Sequence, residues 1–227
     1  MLQRVLEPEV MDSTEVARDY NNMDHSHVNT VFVDDLVQVG FAGGDVLDLG
    51  TGTALIPVEI VKRGLECRIM AADAAVAMLE RARLNLEIAG MTRAIQLSHC
   101  DAKTMPYATG MFDWVISNSI IHHIPDPILV LREAWRVTRA GGCLFFRDLL
   151  RPESEEQLAW LVDTYAAGCN EHQRQMFDDS LHAALSLQEI RELVAEFGCP
   201  AQSVLATSDR HWTWTATKQS SRADSDA

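Results

Sequence analysis

The chain is poor in positive charge. Its 227 residues carry 19 Lys and Arg against 33 Asp and Glu, a formal charge of −14. A surface of that sign repels phosphate, which argues against DNA, RNA or anionic lipid as general partners. No run approaches the roughly 20 apolar residues that cross a bilayer, so no membrane span is expected. The stretch Met1 to Asp12 has Glu7, Glu9 and Asp12 but no apolar core, so it does not read as a signal peptide. The five cysteines, Cys67, Cys100, Cys143, Cys169 and Cys199, are scattered and form no C-x-x-C pair. They are expected to be reduced thiols of a cytoplasmic protein, not a disulfide frame or zinc site. No internal repeat is visible.

What is present is ordinary globular composition, 47% hydrophobic and 23% charged. That suits one domain, or one domain with an appendage. Glu15 to Val33 reads as partly helical. From residue 44 strand and helix patterns alternate. Strands are expected at Asp45–Leu49, Arg68–Ala72, Ala94–Ser98, Phe112–Ser117 and Cys143–Arg147. Helices are expected at Ala54–Lys62, Ala75–Ala89 and from Asp126-Pro127 to Thr138, the last ended by Gly141-Gly142. Glu153–Ala184 reads as a helical cap. Ser186 to Glu189 is a capping box opening a helix to Phe197. Strands Ser203–Thr207 and His211–Lys218 are close enough to be antiparallel, and Trp212 and Trp214 share a core face. The pattern is α/β, a doubly wound, mostly parallel sheet. We expect an N-terminal cap segment at 1–30, a main domain at 31–218 with a helical insertion at about 152–185, and a disordered tail at 219–227.

Three strand ends carry chemistry. After the first, Asp48-Leu49-Gly50-Thr51-Gly52-Thr53-Ala54 makes a Gly-x-Gly turn into a helix. Glycines let backbone approach a ligand, and the helix start offers N–H groups. A dinucleotide fingerprint would put a third glycine at Leu55. Asp48 would repel a pyrophosphate but suits a cation such as an amino group. Asp73, 23 residues after Gly50, is placed to accept both ribose hydroxyls of a nucleoside or to cap the next helix. Asp101, after the third strand, is placed to accept from an exocyclic amine or merely to form a turn.

This set, with Asp101-Ala102, with Phe112 to Ser119 and with the run Ile121-His122-His123-Ile124-Pro125-Asp126-Pro127 to Gly142, resembles the class I S-adenosylmethionine-dependent methyltransferases. It is similar to their small-molecule group, which includes ubiquinone and menaquinone methyltransferases. The resemblance covers residues 28–150 well and 186–218 in outline. It implies a seven-stranded sheet with the last strand antiparallel, S-adenosyl-L-methionine as methyl donor and S-adenosyl-L-homocysteine as product. Carried over by position, the turn of Gly50, Thr51 and Gly52 meets the methionine part, with Asp48 near its amino group. Asp73, followed by Ala74, takes the ribose. Asp101 takes the adenine amine, with the Ala102 N–H facing the ring. Asn118 and Ser119 lie by the methionine and methyl. Ala54 departs from the pattern, since many relatives have a third glycine there.

Methyl transfer from a sulfonium is an in-line displacement, so the cofactor residues do not reveal the acceptor. His123, of the adjacent pair His122-His123, is expected to face it. Tyr20 and His25, in the segment before the first strand, are expected to close over the donor. Asp148 sits at a comparable strand end. Arg147 and Arg151 either pair with acidic neighbours or bind an anion. Trp160, Tyr165 and Met176 of the cap either line an acceptor pocket or pack. His25-x-His27 lacks a third ligand, so no metal is expected. The resulting expectation is a small-molecule methyltransferase, with a homodimer left open. The alternatives are a cofactor-binding module that transfers no methyl, or a macromolecular acceptor. Nucleic acid is disfavoured by the charge and by the missing Asn-Pro-Pro-Tyr signature, since Ser119-Ile120-Ile121 follows Asn118.

Overall fold

The computed structural model describes residues 2–7, 10, 12–22 and 26–219. His25 and residues 220–227 of the expected tail lie outside them. The elements run α1 (Thr14–Asn22), α2 (Ser26–Gln38), β1 (Gly44–Leu49), α3 (Leu55–Lys62), β2 (Cys67–Asp73), α4 (Val76–Ala89), β3 (Ile95–His99) and β4 (Phe112–Asn118). A short 3-10 turn, Ile121–His123, leads into α5 (Pro127–Val137), β5 (Thr138–Leu149), α6 (Glu155–Tyr165), α7 (Glu171–Ala183), α8 (Leu187–Ala195), β6 (Val204–Ala206) and β7 (His211–Thr217).

The sheet order is β3-β2-β1-β4-β5-β7-β6, with β7 antiparallel to both neighbours and the other pairings parallel. Strand β1 lies centrally, and its consecutive residues Val46 and Leu47 are both fully buried on opposite faces. That is why Val46 and Leu47 are both apolar instead of alternating with a polar residue. On one face, Val46, Ile69, Ile116 and Phe145 meet Phe32 and Leu36 of α2, Ile60 of α3 and Leu86 of α4. On the other, Leu47, Val115 and Phe146 meet Leu131 of α5 and Ile190 of α8. Each such fully buried side chain contributes about 1.5–3 kcal/mol. Trp212 and Trp214 share this second face at 0% exposure, as the alternation predicts, and Trp214 stacks on Phe197 at 6.0 Å. Helices α6 and α7 build a satellite core of Leu158, Leu161 and Leu181 over Leu149. The capping box at Ser186 and Glu189 is present.

Two local readings change. Gly141-Gly142 do not end a helix: α5 stops at Val137 and β5 begins at once. The β4–β5 pairing jumps from Phe112↔Thr138 to Trp114↔Cys143, so the intervening residues bulge. Gly142 serves that close approach, because a Cβ there would lie 2.8 Å from the Asp113 carbonyl oxygen. Asp126 occupies the N-cap of α5, but its side chain makes no capping bond, and Pro127 alone marks the start.

The strand order reverses between β1 and β4. Open sheets of this kind bind ligands beyond the carboxyl ends of the strands at such a switch point.

Candidate functional site

A cleft of about 420 Å³ opens there, where the residues after β1, β2, β3 and β4 converge. Its floor is the turn after β1. The N–H groups of Gly50 and Thr51 both donate to the Ala72 carbonyl, at 2.8 and 2.9 Å, tying the turn to the end of β2. Gly50 has φ +72°, and a Cβ on it would stand 1.8 Å from Ile120 Cγ2, so only glycine fits. Ala54, the departure noted in the sequence, also adopts left-handed backbone, with φ +61°. Ser119 is the other non-glycine residue with positive φ among the described residues, at +62°, held by its N–H donating to the Arg147 carbonyl at 2.9 Å.

Asp73 closes the turn. One carboxylate oxygen accepts from the Gly52 N–H and the other from the Ala75 N–H, both at 2.8 Å. Ala75, not Asp73, is the N-cap of α4, so the carboxylate ties two strand-end loops together. Burial pushes its carboxyl above the usual range, against the pull of those N–H donors. Asp48 is 2% exposed, and its Oδ2 has no hydrogen-bond partner among the described residues. Burial pushes its carboxyl up to about 7, with Thr51 pulling down and the Asp73 charge adding to the rise. A buried carboxylate with an unpartnered oxygen beside an open cavity suits a cation. Asn118 likewise has a buried Oδ1 without a partner, and it lines both the cleft and a smaller pocket with Asp48 and Thr51.

The remaining expected positions are also at the cleft. Ala74, Asp101, Ala102 and Ser119 line it. Asp101 accepts from the Lys103 N–H at 2.8 Å and pairs with Lys103 Nζ at 3.1 Å. Tyr20, from α1, lies over Gly52, its Cε1 3.8 Å from where a Cβ would stand. Burial, then the Asp73 and Asp48 charges, push the Tyr20 phenol up to about 12, so it stays protonated near neutral pH. His123 lines the cleft, whereas His122 is buried with Nδ1 against Asp148 Oδ1. Burial opposes charge on His122, but Asp148 outweighs it and raises the imidazole.

Three expected alternatives are decided. Arg147 pairs with Asp35 at 2.6 Å and Arg151 with Glu189 at 2.8 Å, so both are structural. Trp160 and Tyr165 are about half exposed and, like Met176, are absent from the cleft's described lining. Tyr165 instead donates to Asp209 under the Arg210 guanidinium.

The sequence reading missed the N-terminal strap. Arg4 donates to the carbonyls of Ala183, His122 and Ile124 at 2.7, 3.1 and 2.9 Å. This lays Glu7 against His123, with Oε1 3.0 Å from Nδ1, and against Ser180 Oγ. Burial would raise the Glu7 carboxyl, but His123 and His122 hold it low. No local pattern around Glu7 announces contacts more than 100 residues away.

Residues 47–146 match a family described as a methyltransferase domain. The demethylmenaquinone methyltransferase of Mycobacterium tuberculosis is 30% identical over 178 residues, 78% of this chain and 68% of that protein. The chain belongs to the S-adenosylmethionine-dependent methyltransferase family. Within it, the malonyl-[acyl-carrier protein] O-methyltransferase of Legionella pneumophila is 37% identical over 128 residues, covering 56% of this chain and 44% of the relative. The chain thus spans less than half the length of several curated relatives it matches. A proposed S-adenosyl-L-methionine-dependent methyltransferase of Methanococcus maripaludis shares the fold, with a TM-score of 0.72 at 15% identity over 96% of this chain and 99% of that one. No helix among the described residues of this family member is long and apolar enough to cross a membrane.

Proposed function

We propose that the chain transfers a methyl group from S-adenosylmethionine to a small-molecule acceptor in the cytoplasm. The observation that carries this reading is the convergence of Asp73, Asp101 and Asn118 from successive strand ends on one cleft around a Gly-x-Gly floor, with Asp48 in a smaller adjoining pocket that shares Tyr20, Gly50 and Asn118 with it. Asp48 would face the cofactor's amino group and Asp73 its ribose. Asp101 would take the adenine amine, with Ala74 and Ala102 against the nucleoside. Gly50, Thr51 and Gly52 would cradle the methionine part, with Asn118 and Ser119 near the methyl. Bound S-adenosylmethionine supplies an electrophilic methyl on a sulfonium. The protein's task is then to orient an acceptor in line with that methyl and keep water out. Tyr20 covers the floor as a neutral phenol, a hydrogen-bond donor and not a base. His123 stands on the wall where an acceptor would enter. His25 is proposed with them on its sequence position alone.

Relatives named for a quinone and for a malonyl group favour a small acceptor. The charge of −14 disfavours nucleic acid. The test is calorimetric titration with S-adenosylmethionine, S-adenosylhomocysteine and NAD on wild type and Asp73→Ala. Binding of the first two, lost in the variant, is expected. NAD binding, or none by a folded protein, would overturn the reading.

A further inference from the structure

Beside the cleft, Glu7 of the N-terminal strap and the adjacent pair His122 and His123 turn their donor atoms toward one point. Glu7, His122 and His123 each offer a ligand atom, all within 4.8 Å of one another. Glu7 Oε1 lies 3.0 Å from His123 Nδ1 and 3.5 Å from His122 Nε2. Ligand atoms about 2.1 Å from a tetrahedral zinc lie about 3.4 Å apart, so these separations bracket a metal's first shell. The group is enclosed: the Glu7 and His122 side chains are 8% and 4% exposed and His123 15%. His123 Nδ1 is buried and makes no hydrogen bond among the described residues, although the Glu7 carboxylate is within reach. The 3.0 Å contact with His123 helps hold the Glu7 carboxyl low, and a cation bound by both groups would take the place of that ion pair.

The surroundings fit the same assignment. Asp148 holds His122 Nδ1, and is itself fixed by the N–H groups of Ile121 and Leu149. That bond points the lone pair of His122 Nε2 toward Glu7, the arrangement of a carboxylate–histidine–metal triad. Ser180 Oγ donates to the Glu7 carboxylate and orients it. Two buried carboxylates, Glu7 and Asp148, offset a dication next to the Arg4 guanidinium.

We propose that Glu7, His122 and His123 form a binding site for a borderline divalent cation of the zinc type, with Asp148 as its outer carboxylate. Two imidazoles and one carboxylate are three protein ligands, which leaves a coordination position for water or for an oxygen or sulfur of a bound molecule. His123 also lines the cleft, so the cation sits at its wall and not among the cofactor contacts.

The experiment measures metal directly and does not depend on methyl transfer. Metal-stripped full-length protein is titrated with Zn²⁺ and Co²⁺ against a chromophoric chelator, alongside Glu7→Gln, His122→Ala, Asp148→Asn and His27→Ala, each checked for fold by circular dichroism. One equivalent bound by wild type and by His27→Ala is expected. Glu7→Gln should bind at least about tenfold more weakly, and Asp148→Asn about 10- to 100-fold. Glu7→Gln keeps the shape and the Ser180 contact, so it decides the matter even if His122→Ala fails to fold. Wild type binding neither metal, or Glu7→Gln binding as tightly as wild type, overturns the proposal and leaves the methyl-transfer reading standing.

Discussion

Asp48 makes the free protein less stable than it need be, and the size of that cost sets a test. Its folded-state carboxyl lies at about 7 against an ordinary 3.8, because burial penalises the ion. Between those values the folded state holds a proton that the unfolded chain has released, so stability falls as pH rises through the window. At about 1.4 kcal/mol per unit, the penalty is about 1.6 kcal/mol at pH 5 and about 4 kcal/mol from pH 7 upward. Asp48→Asn imitates the protonated form at every pH. The variant should therefore match wild type near pH 4 and exceed it by a margin that grows to several kcal/mol by pH 8. Urea midpoints across that range, with slopes compared, measure the margin. The same variant should bind S-adenosylhomocysteine at least about tenfold more weakly at pH 8, having lost the charge proposed to face the ligand's ammonium. A stability margin that stays flat from pH 4 to pH 8 would refute the argument that burial dominates this carboxyl.

Other perturbations probe the turn and the strap. Gly50→Ala should destabilise by more than about 2 kcal/mol in denaturant unfolding, combining positive-φ strain with a Cβ 1.8 Å from Ile120. Gly52→Ala meets only Tyr20 Cε1 at 3.8 Å, so it should fold, lose about 1 kcal/mol to its φ of +55°, and bind cofactor more weakly by calorimetry. Ala54→Gly should be near neutral in thermal unfolding, because relief of about 1 kcal/mol at φ +61° offsets the loss of a buried methyl of similar worth. Arg4→Ala should cost at least about 2 kcal/mol in urea unfolding, since three carbonyls lose a charged donor, and should expose the N-terminal segment to limited proteolysis.

The alternation of apolar runs and glycine stops determined the order of strands and helices. Spacing along the chain determined that Asp48, Asp73 and Asp101 would each sit at a strand end, and the family resemblance added Asn118. Those are local properties, since a buried parallel strand is mostly apolar and a tight turn must contain residues that tolerate it. Register and bulges are not local: Gly141-Gly142 look like a helix stop until the Asp113 carbonyl is seen beside them. The protonation of Asp48 depends on how much of the fold surrounds it, which no neighbour in sequence reports. Whether Arg147 and Arg151 bind a ligand or a protein carboxylate was decided by Asp35 and Glu189, brought from other elements. Most of all, Glu7 meets His122 and His123 because Arg4 and the Val5 N–H fasten the strap to carbonyls over 100 residues away. The sequence by itself determined the fold and the floor of the cleft, because both follow from short-range pattern. Only the tertiary structure decided the charge state of its carboxylates and the composition of its wall, because burial and ion pairing are set by residues that meet in space.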